Sequence, residues 1–391
     1  MLGEQYHDDC KKWLGSKPCV IQKAGLSSGC DGCNYFEPIN SNVLIIEAGG
    51  LGSILKASVI ANSLAKVGRN IQWLTHSPGQ ELLVNVTSVD VTHNIKDPFA
   101  ATILQNQKWD TVINFETNPY SLALTRSLQA DQKFGFHMND LGKLTICNEE
   151  ALALLQMQTD DLYRATQNSK TFQQILLETA GIPWTNQQYK VTTDPQIDLE
   201  VSKAFDRLEI PKTEVGEYKL VGLNIGSSKR MNAKRWSADN FYQLSKKIMQ
   251  EHPDWKVAIL AGPDDEGPYQ ELESYNDTRL MFTGIDNPIK RFLSLVRHIP
   301  IVVSADTFGL HAAIALDKRT ISLYGPYPAN ENLIPANGIV LDVELACSPC
   351  FAFRPDECIN PVKLKCMRDI TVGMVEEAVK KQIAETEHRN G

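Results

Sequence analysis

VSADTFGLHAAIALDKRTISLYGPYPAN, residues 303–330, reads as a buried strand, a tight polar turn, a helix, a second buried strand and a Gly-Pro exit. Val302 and Val303 end the first strand. Asp306, Thr307 and Gly309 make the turn, His311 to Leu316 begin the helix, and Ile321 to Tyr324 form the next strand. A helix that starts at the carboxyl end of a parallel strand presents free backbone N–H groups and a partial positive charge. Diphosphates and other anions bind at such places. The plainer reading is an ordinary βαβ unit whose Asp or Thr caps a helix.

Outward from that stretch the same pattern recurs. Asn42–Ala48 (NVLIIEA) is an apolar run suited to a buried parallel strand, followed by Gly49, Gly50 and Gly52 and then helical character over Ser53–Leu64. Ile71–Thr75, Val89–Thr92 and Thr111–Phe115 are further strand candidates. The chain turns helical and polar around 150–205, and Pro195 with the segment 212–217 reads as an interdomain connection. A second series then begins: strand Tyr218–Ile225, helix Ala238–Glu251, strand Lys256–Ala261, an extended piece at Leu280–Thr283 and helix Ile289–Val296. Strands alternating with helices predict an α/β protein of two Rossmann-like halves facing a cleft. The expected division is a Cys-rich segment at 1–40, an acceptor domain at 41–210, and a nucleotide-sugar domain at 211–391 carrying a Cys finger at 345–368.

At 391 residues the chain has room for two cores. Thirty-nine basic against 47 acidic residues give a formal charge of −8, which argues against nucleic acid as the main partner. No run of 18 apolar residues occurs, so no transmembrane segment is expected, and the polar start MLGEQYHDDC lacks a signal-like apolar stretch. The expected location is the cytoplasm.

Eight of the nine cysteines fall into two groups of four. Cys10, Cys19, Cys30 and Cys33 precede the first strand, and Cys347, Cys350, Cys358 and Cys366 lie near the C-terminus. Each group contains one C-x-x-C pair, the spacing that lets two sulfurs converge on one ion. In a reducing compartment such groups suggest structural zinc or iron at thiolates, with iron–sulfur clusters and free thiols as the other readings. Cys147 stands alone and reads as a small buried hydrophobe.

The order LNIGSSKRMNAKRW (223–236), ILAGPDDE (259–266), SADTFGLHAAIAL (304–316) and SLYGPYPAN (322–330) resembles glycosyltransferase family 9, the ADP-heptose:lipopolysaccharide heptosyltransferases. NVLIIEAGGLGSILKASVIANSL (42–64) is similar to that family's opening strand, loop and helix. The cysteine-bearing ends and KTFQQILLETAGI (170–182) resemble a cysteine-rich branch of it, in which iron is known at a C-terminal finger. The resemblance implies a GT-B fold and inverting transfer of a sugar from a nucleotide-diphosphate sugar, ADP-heptose first among them. The acceptor would be a glycan, a protein or a small molecule, and an assembly of identical copies is compatible with it.

Carried over residue by residue, the resemblance places Lys234 and the turn residues Gly226, Ser227 and Ser228 at the donor diphosphate. It places Asp306, Thr307, Gly309 and His311 at phosphate and sugar, Asp264 at the nucleoside, and Gly325–Pro326 in the cleft wall. Ser53 stands where the family usually has the aspartate that deprotonates the acceptor, and Glu47 where a basic residue is more typical. A serine hydroxyl cannot act as an unassisted base near neutral pH. Three readings stay open: another carboxylate such as Glu47, Glu116 or Asp140 acts, leaving-group stabilisation carries the rate, or the protein is a catalytically inactive metal-thiolate scaffold or nucleotide-binding partner of the same fold.

Overall fold

A computed structural model describes residues 6–387. The chain divides into two compact units, one formed by 1–49, 57–154 and 176–185 and the other by 50–56, 155–175 and 186–391. Each contains a six-stranded sheet. The first holds β1 (Ser41–Ile46), β2 (Arg69–Thr75), β3 (Val91–Asn94), β4 (Trp109–Asn114), β5 (Ala130–Met138) and β6 (Leu144–Ile146), in the order β3-β2-β1-β4-β5-β6. The second holds β7 (Leu220–Asn224), β8 (Lys256–Leu260), β9 (Leu280–Phe282), β10 (Ile301–Ala305), β11 (Arg319–Leu323) and β12 (Ile339–Leu341), in the order β12-β11-β10-β7-β8-β9. Counted from its own first strand, each sheet has the doubly wound order 3-2-1-4-5-6. All pairs are parallel except β5 with β6.

The strands are short apolar runs because both faces of a parallel sheet are covered. Leu44, Ile45 and Ile46 of β1, and all five residues of β10, are buried. In the second unit the core joins Val221, Leu223, Ile259, Val303 and Ile321 to Phe241 and Leu244 of the Ala238–Glu251 helix and to Trp236 just before it. Buried indoles find acceptors, as Trp236 Nε1 donates to the Ile370 carbonyl at 2.8 Å.

Three expectations need correction. Pro195 does not lie in a connection: it opens the Pro195–Arg207 helix, because Asp194 accepts the Gln196 amide at 3.0 Å and proline is suited to the first helical position. The helix after β10 starts at Phe308, three residues before His311, so Gly309 lies in its first turn. The antiparallel β5–β6 pair was not foreseen, since β5 mixes polar and apolar residues. On the other side of β5, Gly135 permits the close approach to β4: φ is +83° there, and a Cβ would stand 2.0 Å from the Asn114 carbonyl oxygen.

Candidate functional site

In the second sheet β7 and β10 are neighbours, and the chain winds away from them in opposite directions, β7 towards β8 and β9, β10 towards β11 and β12. Outside the carboxyl ends of two such strands is where open doubly wound sheets bind their ligands. Two loops lie at that place in this chain, the one that follows β7 at Asn224 and the Asp306–Thr307 turn that follows β10. Asn224 fastens them together: its amide nitrogen donates to Ser304 Oγ at 2.9 Å and Thr307 Oγ1 at 3.0 Å. A Cβ on Gly309 would lie 2.4 Å from the Asn224 side chain, so glycine is required there by packing.

Asp306 is the hub. Lys234 Nζ binds its Oδ2 at 2.8 Å and its carbonyl at 3.0 Å. His311 Nε2 lies 3.2 Å from Oδ1, and Asn332 Nδ2 donates to the same oxygen at 3.1 Å. Burial pushes the Asp306 carboxyl up, but Lys234, the His311 hydrogen bond and Lys56 outweigh it and hold the group well below the usual carboxylate range. Tyr189 Oη lies 2.8 Å from His311 Nδ1. Burial lowers His311 to about 4 against the opposing pull of Asp306, so the ring is neutral near pH 7. Nε2–H donating to Asp306 and Nδ1 accepting from Tyr189 satisfy both nitrogens. His311, expected to meet phosphate or sugar itself, is engaged within the protein and holds Asp306 in place.

The loop after β7 is shaped by Asp265, not by its neighbour. Asp265 accepts the Ser227 amide and the Gly262 amide, each at 2.9 Å, and Arg235 Nη2 at 2.6 Å. A Cβ on Gly226 would stand 2.9 Å from Asp265 Oδ2. Ser227 donates its hydroxyl to the Met231 carbonyl at 2.7 Å, whereas Ser228 is exposed. Asp264 is also exposed and accepts the Lys229 amide at 3.2 Å. Lys234 closes the loop, its ammonium lying 4.2 Å from the centre of the Tyr327 ring.

In the first sheet the corresponding strand ends are those of β1 and β4, and two candidate bases stand there. Glu47 is buried and accepts the Gly49 amide at 2.9 Å. Glu116 is half-buried and accepts the Ala48 amide at 2.7 Å and Asn118 Nδ2 at 2.9 Å. Asp140 is exposed and paired with Arg126. Ser53, in the first turn of the Leu51–Leu64 helix, belongs to the second unit.

Between β12 and the Val372–Glu387 helix, Cys347, Cys350 and Cys358 lie on a loop and Cys366 in the short Lys365–Arg368 helix. Leu364 N–H is directed at Cys358 Sγ and Asn360 Nδ2 at Cys347 Sγ, each at 3.3 Å. Burial pushes the Cys366 thiol up to about 11, with Cys350, Cys358 and Cys347 adding to the shift. The loop is anchored where Gly325–Pro326 was expected to shape a wall: the Cys350 and Phe351 amides donate to the Pro326 carbonyl at 3.1 and 2.8 Å. A Cβ on Gly325 would stand 2.5 Å from Met367 Sδ and 3.0 Å from Cys366 Sγ. The N-terminal Cys10, Cys19, Cys30 and Cys33 line one cavity with His7, Trp13 and Phe36. Four thiols in mutual electrostatic reach, with N–H groups directed at sulfur, are a donor set of the right chemistry for a thiolate metal. Among the described residues, however, no three His, Cys, Asp or Glu side chains are gathered to grip an ion. Burial pushes Cys147 up to about 11, in keeping with an inert thiol.

Several residues of this site escaped sequence reasoning. Asn332 and Tyr189 carried no motif. Asp265 was hidden by Asp264 in the same Pro-Asp-Asp-Glu run. Lys56 had a signal that was passed over, as the sole charged residue of the Leu51–Leu64 helix.

The model of glycosyltransferase family 9 (heptosyltransferase) matches residues 101–356. No curated protein sequence matches the chain. Among solved structures, a family 9 glycosyl transferase from Veillonella parvula is similar at 15% identity and a TM-score of 0.69, covering 88% of this chain and 98% of that one. The E. coli heptosyltransferase WaaC, solved with ADP-2-deoxy-2-fluoro heptose, shares 16% identity at a TM-score of 0.55, over 87% of this chain and 99% of its own. The iron-containing dodecameric glycosyltransferase TibC of enterotoxigenic E. coli shares 11% at a TM-score of 0.52, over 88% of this chain and 76% of its own. The two doubly wound sheets are those of the expected GT-B fold. No helix among the described residues is long and apolar enough to cross a membrane.

Proposed function

The chain belongs to glycosyltransferase family 9, and on that premise we propose that it transfers a sugar, with ADP-heptose the leading donor, to an acceptor hydroxyl with inversion. The observation that carries this reading is the Lys234–Asp306 pair at the β7/β10 switch point, beside the first turn of the Phe308–Ala315 helix. As the anomeric C–O bond breaks, its electron pair goes to the nucleotide diphosphate. Preorganised cations and amide N–H groups aimed at that charge are the strongest catalytic lever available. The acceptor oxygen attacks from the opposite face, and its proton passes to a carboxylate. Glu116 is the proposed base: half-buried, it keeps lone pairs beyond those engaged by Ala48 and Asn118, whereas Glu47 is buried. Asp306 is proposed to meet the sugar, with His311 positioning it, while Ser228 and the Thr307–Gly309 amides face the phosphates. Asp264, exposed at the end of β8, is proposed for the nucleoside. The acceptor remains one of three classes: glycan, protein or small molecule.

Titrating ADP by calorimetry against wild type and Lys234→Ala tests the donor site. Binding by wild type that Lys234→Ala loses is expected; equal binding by both, or none by wild type, counts against it. The rival reading, an inactive nucleotide-binding scaffold, is removed by hydrolysis of ADP-heptose above background.

We also propose that Cys347, Cys350, Cys358 and Cys366 hold structural zinc or iron, supported by the N–H groups directed at two of their sulfurs. TibC is described as iron-containing. Such a metal would cross-link a loop with little core of its own. Cys10, Cys19, Cys30 and Cys33 are proposed as a second, looser set. Elemental analysis of anaerobically purified protein is expected to find at least one zinc or iron per chain, and finding none would end the idea.

A further inference from the structure

Lys56 follows Gly52 by four residues, so the two share a helix face. That face lies against the donor turn: a Cβ on Gly52 would come within 3.0 Å of His311 Cδ2. The Lys56 ammonium stands 4.8 Å from the centre of the Phe172 ring and 3.5 Å from Asn332 Oδ1, and Asn332 in turn binds Asp306. Close by, Arg164 holds Glu331 through two bonds at 2.5 and 2.6 Å. The cluster therefore has three cations (Lys56, Lys234, Arg164) and two carboxylates (Asp306, Glu331), and 3 − 2 leaves one positive charge. Lys234 and Arg164 each have a carboxylate. The surplus is Lys56, which among the described residues meets none within 4 Å. Burial lowers its affinity for a proton, with Asp306 opposing. A desolvated ammonium that among the described residues faces a ring and one amide oxygen at 3.5 Å is unfavourable, and an anion beside it would relieve it.

We infer that Lys56 is a binding residue for the anionic leaving group, the diphosphate of the sugar donor. The inference rests on the donor-site reading above and sharpens it. Lys234, with its charge engaged by Asp306, organises the turn, and Lys56 supplies the uncompensated positive charge. As the anomeric C–O bond breaks and the electron pair passes to the phosphate oxygen, Lys56 meets the growing charge without any proton transfer.

The test is calorimetry of ADP and AMP binding to the full chain as wild type, Lys56→Met and Lys56→Arg, with thermal unfolding of each. Lys56→Met is expected to weaken ADP by roughly 30-fold or more, typical of removing one partner of a desolvated charge pair, and AMP by less. Lys56→Arg should retain most of the affinity. Unliganded Lys56→Met should unfold close to wild type, because the desolvation cost of the ammonium goes together with its attraction to Asp306. ADP affinity within about twofold of wild type in Lys56→Met, or a lower unfolding temperature with affinity unchanged, overturns the proposal and leaves the donor site standing. Failure of wild type to bind ADP instead overturns the donor-site reading itself.

Discussion

At the carboxyl ends of β1 and β4 stand two carboxylates, Glu47 and Glu116, each accepting hydrogen bonds from loop amides. At the carboxyl ends of β7 and β10, in a sheet wound in the same order, stands a carboxylate ringed by a lysine, a histidine and an asparagine, with two further cations near it. The same topology has been given opposite polarity. Fold alone therefore does not say what binds at a switch point; the side chains on the two loops do. The first sheet carries carboxylates and the second positive charge, as the proposed transfer requires of an acceptor that loses a proton and a donor that sheds a diphosphate.

The largest effect should come from breaking the central pair of the second sheet. Lys234 and Asp306 each have side chains only 11% exposed. Lys234→Met leaves the carboxylate buried with one cation fewer, and a loss of about 3–5 kcal/mol in urea unfolding is expected. Replacing both, as Lys234→Met with Asp306→Leu, should cost distinctly less, since no unpaired charge remains. The Arg126–Asp140 pair of the first unit is the control: it lies on the surface, and Asp140→Asn should leave the unfolding curve unmoved. Equal losses in all three would mean the Lys234–Asp306 pair is no more than a surface contact.

Next in size is the pH dependence carried by His311. The unfolded ring takes up a proton near 6.5, and the folded one resists it down to about 4. The unfolded state thus binds more protons between these values. Stability is full above about 6.5 and falls as the pH drops towards 4, by roughly 3 kcal/mol from this group. His311→Gln, which can still donate to Asp306, should flatten the unfolding free energy against pH by up to one proton across that window. An unchanged slope would show that the ring is protonated in the fold.

Much of this was legible beforehand, and the reasons are local. The apolar runs at Asn42–Ala48 and Tyr218–Ile225 and the Asp-Thr-x-Gly turn placed the strands and the loop after β10, because buried parallel strands and glycine turns leave marks of short range; the strand order came only with the structure. What could not be read depends on distant partners. Tyr189 and Asn332 reach the Asp306–His311 turn from 122 and 26 residues away along the chain. Asp264 and Asp265 are equivalent as letters; only the fold turns one inward to the Ser227 and Gly262 amides and leaves the other at the surface. Gly309 was seen as a turn residue for the phosphates, whereas Asn224 imposes the need for glycine. Pro195 was misread because a proline that opens a helix and one that interrupts a linker look alike until the Asp194 cap is seen.

On the first-sheet side, Glu116→Gln keeps an oxygen for the Ala48 amide, so the fold should hold while the proposed base is lost. The transfer rate should fall about a hundredfold with donor affinity unchanged. The same substitution at Glu47 should act mainly on stability, because that side chain is buried and braces its own loop at Gly49. A rate loss at Glu47 with none at Glu116 would reassign the base. Ser53→Asp adds a third arm, and a gain of transfer there would mean that the usual position of the base has been vacated without replacement.

The smallest effect concerns how the second switch point is clamped. In Gly309→Ala the new methyl must share space with an Asn224 side chain 2.4–2.6 Å away. Alanine favours the helix by about 1 kcal/mol over glycine. Against that, shifting Asn224 forfeits its bonds to Ser304 and Thr307, each worth about 0.5–1.5 kcal/mol, and brings a steric cost. A net loss of roughly 1–2 kcal/mol follows, with weaker ADP binding because the Thr307 turn is freed. Asn224→Ser in the same chain removes the crowding, so the double variant should recover stability over Gly309→Ala alone while its ADP affinity stays low. That split separates a glycine needed for packing from one needed by the ligand: if the double variant regains both, the Asn224 clamp is not what holds the turn.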